Sequence, residues 1–173
     1  MVVLLRGVNV GGRMLPMAKL RDACRADGIE DIETYIQSGN LLFRAASAEA
    51  AAQRIGLLIE RVFGWRPDVV ARSATRWAEY VAAVPFEDAE DRPSQVHLGL
   101  SVRPLAPDTV ERLAAKAIGG ERIFASNDAL WIDFSQGVGE SKLAPAFINA
   151  CAGSPVTLRN WRTVRRLAAM AAA

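Results

Sequence analysis

The sequence predicts an α+β fold with antiparallel sheets, in which a ferredoxin-like βαββαβ N-terminal subdomain is followed by a second α+β subdomain. Three observations support this prediction. Short apolar or alternating runs typical of strands are interspersed with apolar stripes at helical spacing. This succession occupies residues 1–72 and starts again near residue 95. The chain has 173 residues, 51% of them hydrophobic, which is enough to form a substantial core.

The first half follows the βαββαβ order and adds a third helix. Pro16 suits the first turn of the first helix because its φ is fixed, and Ser47 can cap the second. The elements are predicted in this order: a strand at Val2–Arg6, a helix from Pro16 to Gly28, strands at Ile32–Ile36 and Leu41–Ala45, a helix from Ser47 to Gly64, a strand at Pro67–Arg72 and a helix after Ser73.

The second half is predicted as βαββα plus a terminal helix. Its elements are a strand at Gln95–Val102, a helix from Pro107, strands at Arg122–Ala125 and Leu130–Phe134 joined by a turn at Asn127-Asp128, and helices at Pro145–Cys151 and Leu158–Met170. The acidic, proline-containing segment Phe86–Ser94 reads as a linker. The predicted subdomains are therefore 1–84 and 95–173.

Composition excludes several classes of function. No apolar run approaches the roughly 20 residues of a membrane span, and the N-terminus lacks the pattern of a signal peptide, so we expect a cytoplasmic location and no membrane partner.

Cys24 and Cys151 lie on apolar stripes and are predicted to be buried free thiols. His97 is the only histidine, so no metal site is predicted. No cofactor and no catalytic residue can be named.

A glycine-rich turn follows the first strand, in the sequence Leu5-Arg6-Gly7-Val8-Asn9-Val10-Gly11-Gly12-Arg13. Glycines allow successive backbone N–H groups to line a concavity that suits an anion, with Arg6 beside it. The spacing matches neither the dinucleotide fingerprint nor a P-loop. The alternative is a tight connection that needs glycine for its dihedral angles. Asn9 either satisfies loop backbone groups or faces a ligand.

A second polar motif, Gln37-Ser38-Gly39-Asn40, reads as a hairpin turn. Ser38 and Asn40 are candidate site residues only if another part of the chain folds against them. We expect this turn at the end of the first sheet opposite the glycine-rich loop, which argues against a single pocket made from both.

Basic residues dominate the end of the chain. Residues 141–173 hold five basic side chains and no acidic one, whereas residues 87–140 hold ten acidic and five basic ones. Lys142 follows a glycine-containing loop where Ser141 could cap a helix. Arg159, Arg162 and Arg166 are predicted on one face of the terminal helix, with Arg165 beside them and Trp161 in the core. Either the acidic segment Glu87–Asp91 or a ligand would neutralise this surface.

Four stretches carry a resemblance to a known family: LRGVNVGGR at 5–13, TYIQSGNLLF at 34–43, SKL at 141–143 and TLRNW at 157–161. In this order they resemble the mainly bacterial family catalogued as domain of unknown function 1697. The resemblance implies a common fold. It implies no activity, since the family has none to carry over.

The sequence therefore supports a hypothesis about binding but does not identify a reaction. The first hypothesis is a site for a small anionic or phosphate-containing ligand. It is formed by Arg6, Asn9, Gly11 and Gly12, with Lys142, Arg159 and Asn160 brought near by packing of the subdomains, and Ser38 and Asn40 are additional candidates. The second is nucleic-acid binding, although Phe43 is the only aromatic side chain that the relevant strands offer for base stacking. The third is a protein-interaction or homodimer module without a ligand. The oligomeric state is not predicted.

Overall fold

The computed structural model describes residues 1–126 and 128–173 and divides into two compact units. Unit 1 comprises residues 1–78 and 167–173, and unit 2 comprises residues 79–166. Each unit contains a four-stranded antiparallel sheet, which confirms the predicted α+β class. None of the helices within the described ranges combines the length and apolar character needed to cross a membrane.

Unit 1 contains the predicted succession βαββαβ. Its elements are β1 at Val2–Arg6, α1 at Met17–Ala26, β2 at Glu33–Tyr35, β3 at Asn40–Leu42, α2 at Ala48–Phe63, β4 at Asp68–Arg72 and the start of α3 at Ala74–Ala82. The strand order is β2-β3-β1-β4. Ser47 caps α2 by accepting a hydrogen bond from the N–H of Ala50 at 3.1 Å, and Gly64 ends that helix with a φ of 77°.

The core of unit 1 lies between one face of the sheet and the apolar stripes of α1 and α2. Alternate residues of β1, Val3 and Leu5, belong to it because successive side chains of a strand point to opposite faces. Leu20 of α1 and Ile55 of α2 cover them. Cys24 is buried as a free thiol, as predicted, and burial raises the pKa of this thiol to about 11.

Unit 2 has the strand order β6-β7-β5-β8. Its elements are the end of α3, β5 at Val96–Ser101, α4 at Thr109–Ala114, β6 at Arg122–Ser126, β7 at Ala129–Asp133, α5 at Pro145–Ala152, β8 at Val156–Asn160 and the start of α6 at Trp161–Ala172. Asn127, in the predicted turn, lies outside the described residues. The core includes Leu130, Ile132 and Phe134, with the free thiol Cys151 from α5.

The predicted end of the second half was wrong in one element. Residues 156–160 form the strand β8, whereas the sequence predicted a helix from Leu158. β8 pairs antiparallel with β5, with Leu158 opposite Gly99. The β-branched pair Val156 and Thr157 favours a strand, and α6 begins only after Asn160. Unit 2 therefore has the order βαββαβ before its last helix, and not βαββα.

The segment predicted as a linker belongs to unit 2. Within it, Asp88 forms ion pairs with Arg92 and Arg122, and Glu90 forms one with Arg165. The boundary between the units instead falls inside α3, after Ala78. Acidic composition indicated a solvated connection, but two of its acidic side chains, Asp88 and Glu90, form ion pairs with arginines of the same unit.

Candidate functional site

Arg6 lies at the end of β1, where its guanidinium contacts the carboxylate of Asp68 on the adjacent strand. The two side chains form an ion pair with an N–O distance of 3.5 Å, and each keeps part of its surface in solvent. Arg6 and Asp68 also face each other in the β1–β4 register. Unit 1 thus supplies its own counter-charge for this predicted site residue.

Asn9 has a positive φ of 57°, and its side chain holds the glycine-rich loop together. Its Nδ2 group donates to the carbonyl oxygens of Gln37 and Leu15, at 2.5 and 3.4 Å, and its Oδ1 atom accepts from the N–H of Leu15 at 2.8 Å. The sequence allowed two roles for Asn9, bonding to loop backbone groups or facing a ligand. These contacts correspond to the first role, because all three are with backbone groups.

The predicted separation of the two polar motifs was wrong. β1 pairs antiparallel with β3, and Leu4 lies opposite Asn40, so the end of β1 adjoins the start of β3. The loop after β1 and the turn before β3 therefore share one end of the sheet. The N–H of Leu5 donates to the carbonyl oxygen of Gly39 at 2.7 Å, and Asn9 contacts Gln37.

The polar side chains of the turn are used within it. Asn40 is fully buried, and its Nδ2 group donates to the carbonyl oxygen of Tyr35 at 3.1 Å and to Ser38 Oγ at 2.9 Å. Gly11 and Gly12 are exposed at the tip of the loop, with φ values of 56° and 82°. Arg6, Asn9, Ser38, Asn40 and the two glycines thus lie in unit 1, and the first four make internal polar contacts.

Lys142 lies in unit 2, exposed in the connection before α5. Ser141 beside it is not the cap of that helix, which starts at Pro145 after Ala144. Its hydroxyl donates to Glu121 and accepts from the N–H of Leu143, the latter at 3.1 Å. The hydrogen bond from Ser141 lowers the pKa of Glu121. The helix-capping alternative for Ser141 was therefore wrong.

Arg159 and Asn160 end β8 and do not belong to the terminal helix. Arg159 donates to the carbonyl oxygen of Leu158 at 2.9 Å, and burial lowers the pKa of this guanidinium to about 10. Asn160 Oδ1 accepts from the N–H of Thr163 at 3.0 Å and so caps α6. The predicted face shared by Arg159 with Arg162 and Arg166 is wrong for Arg159, because it precedes the helix.

Unit 1 contains the same arrangement at the end of β4. Arg72 donates to the carbonyl oxygen of Ala71 at 2.8 Å, and the next residue, Ser73, accepts from the N–H of Arg76 at 3.0 Å. In both units, an arginine that bonds to the preceding carbonyl is followed by a residue that caps a helix. Asn160 and Ser73 thus have the same structural role, since each caps the helix that follows its strand.

The strongest candidate site in unit 2 is a groove at the start of α6, which we call the arginine groove. Its volume is 430 Å³, and its lining residues are Glu90, Pro93, Arg162, Arg165 and Arg166. The three arginines are exposed at positions i, i+3 and i+4, so they share one helix face. Within the described ranges, only Arg165 has an ion-pair partner, Glu90; Arg162 and Arg166 have none.

The groove is built on a buried anchor. Trp161 is 1% exposed, and its ring packs edge-on against that of Trp131 with 5.9 Å between ring centroids. Its Nε1 group donates to Glu90 Oε1 at 3.0 Å. The N–H of Arg162 donates to the carbonyl oxygen of Pro93 at 3.2 Å. The segment with Glu90 and Pro93 is thus fixed against the first turn of α6.

A second polar cluster in unit 2 is centred on Asp133. The side chain of Asp133 is fully buried, and its Oδ2 atom accepts from Arg92 Nη1 and Arg122 Nε, each at 2.8 Å. Its Oδ1 atom has no hydrogen-bond partner within the described residues. Burial lowers the pKa of the nearby His97 imidazole, whose Nδ1 atom lies 2.8 Å from the carbonyl oxygen of Gln95. Arg92 and Arg122 thus neutralise the buried carboxylate of Asp133.

The comparison with known families decides the classification of the chain. A family model described as "Protein of unknown function (DUF1697)" matches residues 1–131. The chain belongs to the DUF1697 family. The matched range contains both polar motifs of unit 1 and ends within β7 of unit 2, so it includes Glu90 and Pro93 of the arginine groove but not the three arginines.

A solved structure described as that of the conserved bacterial protein SP0830 from Streptococcus pneumoniae is similar to this DUF1697 member along almost its whole length. The identity is 21% and the TM-score 0.69, over 98% of this chain and 97% of the other. At this identity the likeness establishes the common fold and no activity. No curated protein matches the sequence.

None of the residues that line the groove is among the site residues that the sequence predicts. The sequence indicates its three arginines only as members of a basic surface. The acidic segment is one of the two partners that the sequence predicts for the arginines, and the ion pair with Glu90 confirms it for Arg165 alone. Which acid makes the contact depends on how residues 86–94 dock against α6, and no local pattern encodes this.

Proposed function

We propose that this protein binds a small phosphate-bearing anion in the arginine groove. The observation that carries the proposal is the presence of three exposed guanidiniums on one helix face, around a groove of 430 Å³, of which two lack a carboxylate partner within the described residues. A cytoplasmic location, which the sequence predicts, remains part of this proposal.

Electrostatics favours an anion at this position. Arg162, Arg165 and Arg166 lie in the first two turns of α6, where the helix dipole contributes further positive charge, and the first turn contains no acidic residue. Like charges at this spacing repel one another. A bound anion would interact favourably with the helix dipole and would reduce the repulsion between the arginines. Glu90 pairs with only one of the three guanidiniums.

The chemistry of the side chains favours phosphate. A guanidinium presents a planar set of N–H donors that matches two oxygens of a phosphate or carboxylate. The N–H groups of Arg162 and Thr163 are already bonded to Pro93 and Asn160, so the side chains of the groove would supply these contacts. The buried ring of Trp161 and the contact with Pro93 fix the start of the helix, which reduces the entropic cost of binding.

The observations support a small ligand more than a nucleic acid. Phe43, the aromatic residue that the sequence offered for base stacking, is 4% exposed and packs in the core of unit 1. An aromatic side chain in that position cannot stack on a base, and stacking is the usual source of affinity for single strands on a sheet. A homodimer without a ligand remains the other alternative that the sequence raised.

Titration calorimetry with pyrophosphate tests the proposal. We expect binding by the wild-type protein, and at least tenfold weaker binding by the double variant Arg162→Gln/Arg166→Gln. The matched control is Arg25→Gln/Arg44→Gln, which removes the same charge from exposed positions in unit 1 and should change the affinity less than twofold. Affinity should also fall with added salt, because the site is exposed.

Two results would contradict the proposal. The first is an equal loss of affinity in both double variants, which would indicate a general charge effect. The second is an absence of pyrophosphate binding, and salt-dependent binding of a short single-stranded RNA in that case would favour the nucleic-acid alternative.

A further inference from the structure

We infer that the Glu90 carboxylate is a resident competitor in the arginine groove, which a ligand phosphate displaces from Arg165. This inference rests on the proposed function. It assigns to one acidic side chain of the lining the regulation of affinity at that site.

The two carboxylate oxygens of Glu90 have separate partners. Oε1 accepts from the indole Nε1 of Trp161 at 3.0 Å, and Oε2 forms the ion pair with Arg165 Nη1. The carboxylate therefore satisfies one of the three guanidiniums and adds a negative charge to the groove lining. A phosphate that contacts all three arginines must replace Glu90 at Arg165. A phosphate that contacts only Arg162 and Arg166 must bind next to the negative charge of Glu90.

The contact between Glu90 and Arg165 can be exchanged at low cost. Both side chains are more than half exposed, and exposed ion pairs contribute little to stability because water competes for both charges. The segment does not depend on this pair for its position. The carbonyl of Pro93 accepts from the N–H of Arg162 at 3.2 Å, and Asp88 pairs with Arg92 and Arg122.

The variant Glu90→Gln separates the charge from the hydrogen bond. A glutamine has the same size and can still accept from the indole of Trp161, but it does not hold Arg165 by charge. We expect at least fivefold tighter binding of pyrophosphate by this variant in calorimetry. The control Glu87→Gln makes the same change of charge at an exposed position in the same segment that does not line the groove, and it should change the affinity less than twofold.

Displacement also has a spectroscopic signature, which can be observed in the wild-type protein. In the wild-type protein, the ¹H–¹⁵N signal of the Trp161 indole, assigned by its loss in Trp161→Phe, should move as pyrophosphate is added, because its acceptor moves away. In Glu90→Gln the same signal should move less, since a neutral amide does not compete with the ligand for Arg165.

The possible results separate this inference from the proposed function. If pyrophosphate binds the wild-type protein and Glu90→Gln binds no more tightly than Glu87→Gln, Glu90 is not a competitor. Glu90→Gln could bind more tightly while the wild-type indole signal stays fixed. The tighter binding would then come from the loss of repulsion between the Glu90 carboxylate and the ligand, and the inference that the ligand displaces Glu90 would be wrong. If neither protein binds pyrophosphate, the proposed function fails and the inference fails with it.

Discussion

Replacing Asp133 with alanine is expected to lower the free energy of unfolding by about 2–4 kcal/mol, measured by urea denaturation. The buried carboxylate is the shared acceptor of Arg92 and Arg122, whose donor atoms each lie 2.8 Å from Oδ2. Its loss leaves the two guanidiniums with only the partly exposed Asp88 as a shared carboxylate. They are 28% and 42% exposed, so solvent replaces part of the lost interaction, and the expected loss is below that of a fully buried pair.

The control for this variant is Asp88→Ala, which removes a carboxylate from the same cluster. Asp88 also pairs with Arg92 and Arg122, and the hydrogen bond from Arg122 lowers its pKa. Its side chain is partly exposed, so we expect a much smaller loss of stability than for Asp133→Ala. Equal losses of unfolding free energy in the two variants would mean that the burial of Asp133 does not make its ion pairs more stabilising than those of Asp88.

Replacing Gly39 with alanine is expected to destabilise the protein by about 2–4 kcal/mol, through both backbone strain and overpacking. Gly39 has a φ of 76° in the turn before β3. A Cβ atom there would lie 2.7 Å from Leu5 Cβ and 2.8 Å from Val8 Cγ2, and both neighbours are buried in the core of unit 1. Leu5 cannot move without disturbing β1, and Val8 lies two residues beyond the end of that strand.

The matched control is Gly12→Ala in the loop that adjoins this turn. Gly12 has a similar φ of 82°, but a Cβ atom would meet nothing within 4 Å. This variant should therefore show the backbone strain alone, about 1–2 kcal/mol. Urea denaturation of both variants gives the contribution of the close contact by difference. Equal losses would show that the packing between the turn and β1 tolerates a methyl group.

Local patterns predicted most of the fold because they encode its elements directly. The uninterrupted apolar run of β1, the serine before α2 and Gly64 after it are signals that reside in adjacent residues, and the structure contains each of them. The strand β8 was missed because Leu158, Trp161 and Val164 also follow helical spacing. The β-branched Val156 and Thr157 were the signal for a strand, and the pairing of β8 with β5 determined the outcome.

The candidate site was less predictable because its residues interact across the sequence. Asn9 and Asn40 suggested a ligand, yet both amides bond to backbone carbonyls. The Asn9 amide reaches Gln37 because the antiparallel pairing of β1 with β3 brings their loops together, and the Asn40 amide bonds to Tyr35 at the end of β2 in the same hairpin. The partner of Arg165 is Glu90, which lies 75 residues away in the sequence. Composition indicated a basic surface but could not distinguish Arg162 and Arg166 from Arg165, since ion pairing depends on how the acidic segment docks.

The most direct test of the anion site is to observe the arginine side chains while a ligand is added. In ¹H–¹⁵N spectra of the Nε–H groups, titration with pyrophosphate should shift the signals of Arg162 and Arg166 first and most. The signals of Arg25 and Arg44 should stay fixed. Shifts confined to Arg6 and Arg13, beside the glycine-rich loop, or uniform small shifts of all arginines, would contradict the assignment of the site to the arginine groove.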